Sequence, residues 1–234
     1  MDKPVATMHF HRYDNFSELS DALVKQWLAI IDMAALVRLP STFALAGGST
    51  PAPLYRALDQ GLVERSASGA QLQVKLVATD ERWVDDADPQ SNEGLFKQCM
   101  AASYEKQWQL VSLKNRAETP QDAAYLIDAH LRNELPTPFN AVLLGMGTDG
   151  HIASLFPGAP TEHFALTCLG ALHPQTQQSR MSLSLPRLIN TERIWLVITG
   201  AEKRAVLESA LETKLPIGAL IRAARCPIDV FWCP

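Results

Sequence analysis

The chain has 234 residues, enough for one large domain or two small ones with a sizeable core and no need of disulfide or metal staples. Apolar residues make up 47% and charged residues 20%, the balance of a soluble globular protein, and the net charge of −4 is spread so evenly that no basic tract marks a nucleic-acid or anionic-membrane partner. The four cysteines (Cys99, Cys168, Cys226, Cys233) form no C-x-x-C pair and no zinc-spaced cluster, no apolar run is long enough to span a bilayer, and Met1-Asp2-Lys3-Pro4 opens no signal pattern, so reduced thiols and a cytoplasmic location are expected.

After a short opening segment, Asn15 and Glu18 have the spacing of a capping box. Leu19, Leu23, Trp27, Ile30, Ala34 and Val37 then recur at helical spacing, and Pro40 ends that helix. A buried strand is expected over 42–46. It runs into Gly47-Gly48-Ser49-Thr50-Pro51 and a helical pattern over 53–58. A second strand, 72–78, runs into Thr79-Asp80-Glu81-Arg82. An acidic loop over 85–89 follows, and Ser91-Asn92 heads a helix through residue 100. A third strand is expected over 108–113. A helix over 120–135 has Thr119 as N-cap and Pro120 at its first position.

The apolar run from Phe139 is the fourth strand. It breaks into Gly145-Met146-Gly147-Thr148-Asp149-Gly150-His151. The fifth strand covers 193–200 and leads into a helix over 201–211. A short helix over 216–223 and a strand over 228–232 close the pattern. Apolar strands alternating with helices predict an α/β protein with a mostly parallel sheet, read as one domain over 1–234 with room for a small lobe inside it.

The motifs sit where strands end. Gly47, Gly48, Ser49 and Thr50 follow a strand and open a helix. Glycines let a ligand approach the backbone, a Ser or Thr caps the helix, and free N–H groups at its positive end favour an anion, phosphate above all. An ordinary strand-to-helix turn has the same residues, so this loop alone divides evenly between the two readings. Gly145-x-Gly147-x-x-Gly150 matches a dinucleotide fingerprint in letters only. Pro157 and Pro160 cut short the helix that the fingerprint needs, and no acid follows at the required distance.

Asp149 and His151 share the glycine break. Histidine exchanges protons near neutral pH, and an adjacent carboxylate can orient its ring. The plainer reading makes Asp149 the cap of a short helix over 151–156. His9, His11, His130, His163 and His173 read as packed or surface residues. Arg82 has the planar fork that clamps phosphate. The acids around it are more simply a solvated loop than a metal site, since no ligand-spaced His joins them. Lys203 lies at the mouth of the fifth strand, and Arg180 precedes the alternating run Met181-Ser182-Leu183-Ser184-Leu185. Alone, each would be a surface cation. Because every motif follows a strand, a parallel sheet would gather them on one rim.

Together these segments resemble the 6-phosphogluconolactonases. The carriers are Ala46-Gly47-Gly48-Ser49-Thr50-Pro51, Thr79-Asp80-Glu81-Arg82-Trp83-Val84, Ser91-Asn92, Gly145 to His151 with Ala153-Ser154-Leu155-Phe156-Pro157, Arg180-Met181-Ser182-Leu183, and Gly200-Ala201-Glu202-Lys203. The resemblance runs nearly end to end. It implies a Rossmann-like, mostly parallel sheet flanked by helices, of the sugar-phosphate isomerase/deaminase superfamily, with no metal and no cofactor. Ile152 stands where that family usually has Thr, a feature shared with the glucosamine-6-phosphate deaminases. Those continue with Asn-Glu-Pro after the His motif and carry Asp-Glu-Tyr at the second strand, whereas this chain has Ser154-Leu155-Phe156-Pro157 and Arg82.

The implied reaction is hydrolysis of 6-phospho-D-glucono-1,5-lactone in the pentose phosphate pathway. His151 would activate water and Asp149 hold its ring. Gly47, Gly48, Ser49, Thr50, Arg82 and Lys203 are candidates for the phosphate, and Asn92 and Arg180 for the sugar oxygens or the oxyanion. The partner is a small sugar-phosphate lactone, with no nucleic acid and no membrane, in a monomer or weak homo-oligomer. The rivals are a deaminase or isomerase using Asp80 as base, and a non-catalytic sugar-phosphate regulator.

Overall fold

The computed structural model describes residues 6–159 and 165–234. Residues 1–4, Pro160 and His163, named above, lie outside the described residues. Strand β1 (Met8–Arg12) leads into helix α1 (Phe16–Leu36), β2 (Ser41–Leu45), α2 (Ala52–Ala67), β3 (Val74–Ala78), β4 (Asp80–Arg82), α3 (Asn92–Cys99), β5 (Trp108–Leu110), α4 (Pro120–Glu134) and β6 (Ala141–Leu144). Then come β7 (Cys168–Leu172), β8 (Ser179–Leu183), α5 (Leu185–Leu188), β9 (Ile194–Thr199), α6 (Ala201–Glu208), α7 (Pro216–Ala223) and β10 (Ile228–Cys233).

Seven strands form one parallel sheet in the order β1-β10-β9-β6-β2-β3-β5. The chain first builds outward from β2 through β3 to β5. It then returns to the other side of β2 and builds outward through β6, β9 and β10. The order therefore reverses between β2 and β6, which opens a crevice beyond their carboxyl ends. Helices cover both faces of the central strands, so β2 and β6 are buried at every residue.

Local chemistry sets the helix ends. The Asn15 side chain accepts the Glu18 N–H at 3.0 Å, the cap expected from that spacing, and Glu18 returns the contact to the Asn15 side-chain amide at 2.9 Å, not to its backbone N–H. Ser91 accepts the Gly94 N–H at 3.0 Å and Thr119 the Asp122 N–H at 3.2 Å. On one face of the sheet, Trp27 of α1 lies 5.3 Å from the ring of Phe43 and 5.6 Å from that of Trp195. Ala141 is the register partner of Phe43 on β6, and its small side chain leaves room for these rings.

A second sheet was not anticipated. β4, β8 and β7 pair antiparallel in that order, with Asp80 opposite Ser182 and Arg82 opposite Arg180. It docks on α4, where the buried Asp128 carboxylate accepts the Thr167 N–H at 2.6 Å and hydroxyl at 2.7 Å. Gly170 of β7 lets the sheet come close, since a Cβ there would sit 2.9 Å from the Gln121 backbone nitrogen. Arg82 and Arg180 therefore do not sit on the rim of the parallel sheet where the sequence pattern gathers the motifs. They belong to this smaller sheet. No helix among the described residues is long and apolar enough to cross a membrane.

Candidate active site

The first wall of the crevice is the turn after β2. Gly47 meets the side chain of Asn92 so closely that a Cβ would lie 1.9 Å from its Oδ1. Asn92 is itself held, donating from Nδ2 to the Asp80 carbonyl at 2.7 Å. The expected side-chain cap is absent: no side chain accepts the first amides of α2, and the Ala52 N–H donates to the Ser49 backbone carbonyl at 3.3 Å. The turn is fixed instead from below, where the Tyr55 hydroxyl donates to the Ala46 carbonyl.

The second wall is the loop after β6. Residues 151–156 form turns with an Ile152–Leu155 bridge, not the short helix that Asp149 was read as capping. Asp149 serves the ring of His151 directly: Oδ1 lies 2.7 Å from Nδ1 and also accepts the His151 N–H at 3.1 Å. Partial burial pushes the Asp149 carboxyl up, but the His151 N–H and ring outweigh it, so its pKa falls below the ordinary value. Gly147 makes this contact possible, because a Cβ there would stand 2.2 Å from Nδ1 and 2.5 Å from the carboxylate oxygen. Gly150 takes a positive φ of 78° and its carbonyl accepts the Ile217 N–H of α7 at 3.1 Å. Ala153, with φ 49°, is a side-chain-bearing residue in the left-handed region. Phe156 packs beside the His151 ring at 5.2 Å.

The small sheet supplies the third wall and most of the charge. The Asp80 Oδ2 accepts the Ser154 hydroxyl at 2.5 Å and faces the Arg180 Nη1 at 3.4 Å. Burial pulls the Arg180 guanidinium below its ordinary pKa; Asp80 opposes that pull and Arg82 adds to it. Arg82 spends Nη1 on the Gln90 carbonyl. The Nε of each arginine is buried and finds no hydrogen-bond partner among the described residues. No carboxylate among the described residues pairs with Arg82 or Lys203.

These walls enclose a cleft of about 240 Å³. Gly47, Thr50, Asp80, Arg82, Asn92, His151, Arg180 and Lys203 all line it. Three cationic side chains thus face one carboxylate across a space the size of a small metabolite.

The family model for glucosamine-6-phosphate isomerases/6-phosphogluconolactonase matches residues 14–232. The chain belongs to this family. A 6-phosphogluconolactonase of Caulobacter vibrioides is 30% identical over 98% of this chain and 99% of its own length. One from Rhizobium meliloti is 31% identical over 97% and 99%. The crystal structure of a 6-phosphogluconolactonase from Shewanella baltica superposes with a TM-score of 0.84 at 28% identity, covering both chains completely. A monomeric glucosamine-6-phosphate deaminase shares the fold at a TM-score of 0.76 and 16% identity.

Some expected residues stand back from the cleft. Gly48 and Ser49 do not line it, and Asp149 lies behind His151. The Asn92 amide is committed to the Asp80 carbonyl, which makes it first a brace for the turn after β2. The sequence pattern assigns Ser154 no role, places Asp80 and Glu81 in an acidic run read as a solvated loop, and otherwise offers Asp80 as a rival base. Glu81 accepts N–H bonds from Arg82, Asn92 and Glu93, at 2.6, 2.9 and 2.6 Å. Burial pushes its pKa up, and those N–H groups and Lys114 pull the other way. A carboxylate beside so many amides could have been foreseen only by knowing that β4 folds back over the head of α3. Among the described residues no group of three His, Cys, Asp or Glu side chains could hold a metal ion.

Proposed function

We propose that this chain hydrolyses 6-phospho-D-glucono-1,5-lactone to 6-phospho-D-gluconate, the lactonase step of the pentose phosphate pathway. One observation carries the reading: the imidazole held by Asp149 opens onto the same cleft as Arg82, Arg180 and Lys203. The relatives' activity supports the substrate. The charge balance supports it independently, because three cations against one carboxylate suit a phosphate dianion. Lys203 adds to this argument. It sits in the first turn of α6, where the positive helix end disfavours a cation, so helix stability does not account for it.

In this mechanism the ionised Asp149 accepts a hydrogen bond from Nδ1–H of His151, which keeps the proton on Nδ1 and leaves Nε2 with its lone pair. Nε2 takes a proton from water as the water oxygen bonds to the lactone carbon. The carbonyl becomes an oxyanion, which Arg180 faces. Collapse breaks the bond between that carbon and the ring oxygen, and Nε2–H returns its proton to the departing alkoxide. Arg82 and Lys203 hold the remote phosphate with the turn at Gly47 and Thr50, and that grip places the carbon against the base. We assign the reaction to the cytoplasm, in keeping with four unpaired cysteines of which three are buried. The enzyme acts as a monomer or weak homo-oligomer without nucleic acid.

The test is a pH-stat assay on freshly made lactone, corrected for spontaneous opening. His151→Ala is expected to lower kcat by about 10²–10⁴ with KM nearly kept, as for loss of a general base. A phosphate-free gluconolactone should be a far poorer substrate. An unchanged kcat in His151→Ala would remove the imidazole from the reaction.

A further inference from the structure

The site holds a buried node of which the mechanism above uses only Arg180. Asp80 Oδ2 accepts the Ser154 hydroxyl at 2.5 Å and faces Arg180 Nη1 at 3.4 Å, and that guanidinium nitrogen lies 3.5 Å from the same hydroxyl. The Ser154 N–H donates to the Ser182 hydroxyl at 3.2 Å, so the residue is tied to both β4 and β8. Ser154 stands three residues after His151, on the far side of the strained Ala153. On the near side, the Gly150 carbonyl is tied to Ile217. The His151 loop is thus clamped at two points that bracket the imidazole. A left-handed Ala persists only where its surroundings over-determine the backbone, and the Ser154 tie does that.

We infer that Asp80 is a positioning residue of this site: one carboxylate oxygen fixes both the His151 loop, through Ser154, and the Arg180 guanidinium. The inference rests on the lactonase reading for its kinetic consequences. Asp80 joins the charge-bearing small sheet to the loop carrying the base, so the two ends of a substrate meet a single rigid frame. Its side chain is only 9% exposed, which limits what it can offer a substrate directly.

The test compares Asp80→Ala, Asp80→Asn and Ser154→Ala with the wild type, in kinetics and in the histidine Cε1–H NMR spectrum of the ligand-free protein. The His151 signal is assigned by its loss in His151→Ala, and His130 on α4 serves as the control for intact fold. Asp80→Ala and Ser154→Ala are expected to lower kcat between about tenfold and a hundredfold, the effect of a modest misplacement of the base. In Ser154→Ala, KM should stay within about twofold of wild type. Asp80→Asn keeps an acceptor oxygen and should recover most of the turnover. The His151 signal should move in Ser154→Ala and Asp80→Ala while His130 stays. If Asp80→Ala does not fold, Ser154→Ala decides alone. Wild-type kcat and an unmoved His151 signal in Ser154→Ala would overturn the inference. So would an Asp80→Asn variant as damaged as Asp80→Ala, which would make the Asp80 charge itself act on substrate. A wild type that does not turn over the lactone sinks the lactonase reading; the NMR comparison then still decides the positioning role.

Discussion

Glu93 offers a perturbation whose size the structure sets. It lies in the first turn of α3, 1% exposed, with Oε1 accepting the Leu113 N–H at 2.7 Å and Oε2 the Ser112 hydroxyl at 2.8 Å. Burial, with the nearby Glu81 charge adding to it, pushes its pKa from 4.5 to about 7 against the pull of Leu113, Ser112 and Lys114. An acid with a raised folded pKa binds more protons folded than unfolded between those two values. Stability therefore falls as pH rises through that window and stays reduced above it. At about 1.4 kcal/mol per unit the cost of the ionised form is roughly 3 kcal/mol. Glu93→Gln keeps an acceptor for the Leu113 N–H and cannot ionise. Urea unfolding of both proteins at pH 4.5 and pH 8 should show the variant gaining on the wild type by up to roughly 3 kcal/mol across that range. A gap between the two proteins that does not change with pH would refute the reasoning. The consequence reaches the site, because Arg82 and Asn92 line the cleft and hang by their N–H groups from the adjoining Glu81.

Three further outcomes are expected. Gly147→Ala puts a Cβ between His151 and Asp149, 2.2 Å from the ring nitrogen, without forcing a positive φ. It should fold normally by circular dichroism yet lose turnover as His151→Ala does; wild-type kcat would show that the pair can separate harmlessly. Gly47→Ala drives a Cβ into the tethered Asn92, so KM for the lactone should rise along with a fall in thermal midpoint, and normal kinetics would mean that the turn yields. Asp128 runs opposite to Glu93. Burial pushes its carboxyl up, but Arg132 and Thr167 hold it below its ordinary value, so its stabilisation is present near neutrality and lost as pH falls through the folded pKa. Asp128→Asn should therefore have a lower urea midpoint at pH 7, with the deficit shrinking toward pH 3; a deficit constant with pH would leave the charge with no role.

The parallel sheet was legible because its central strands are buried on both faces and read as largely apolar runs, while Asn15, Ser91 and Thr119 announce helix starts by hydrogen bonds that span three residues. What stayed hidden depends on partners far away in the chain. β4 is Asp-Glu-Arg, a composition that reads as loop, and it becomes a strand only because residues 180–182 arrive from a hundred positions on. β7 carries a central glycine whose purpose is the approach of α4. β1 is a short edge strand that reads as an unstructured lead-in. For the site, the Asp149–His151 contact was legible because it is local. The node at Asp80 was not, since Ser154 lies 74 residues away. The cap expected from Ser49 or Thr50 failed because Pro51 and the closure onto Tyr55 set the turn without them.

The division between the two sheets explains why the charge lies where it does. A parallel sheet covered by helices on both faces leaves little room for a cation at its centre, and its central strands β2 and β6 are buried at every residue. What its carboxyl rim offers is backbone: glycine turns after β2 and β6 at the point where the strand order reverses. A short antiparallel sheet set against that rim has one face free to look into the crevice. Two arginines opposite each other on neighbouring strands repel, and burial raises the cost. Among the described residues only one of them meets a carboxylate. A fold shaped for stability alone would replace one arginine or pair both. That unbalanced charge is therefore the part of the molecule whose presence must be explained by what enters the cleft, and the same small sheet, through Asp80, reaches across to steady the loop that bears the imidazole.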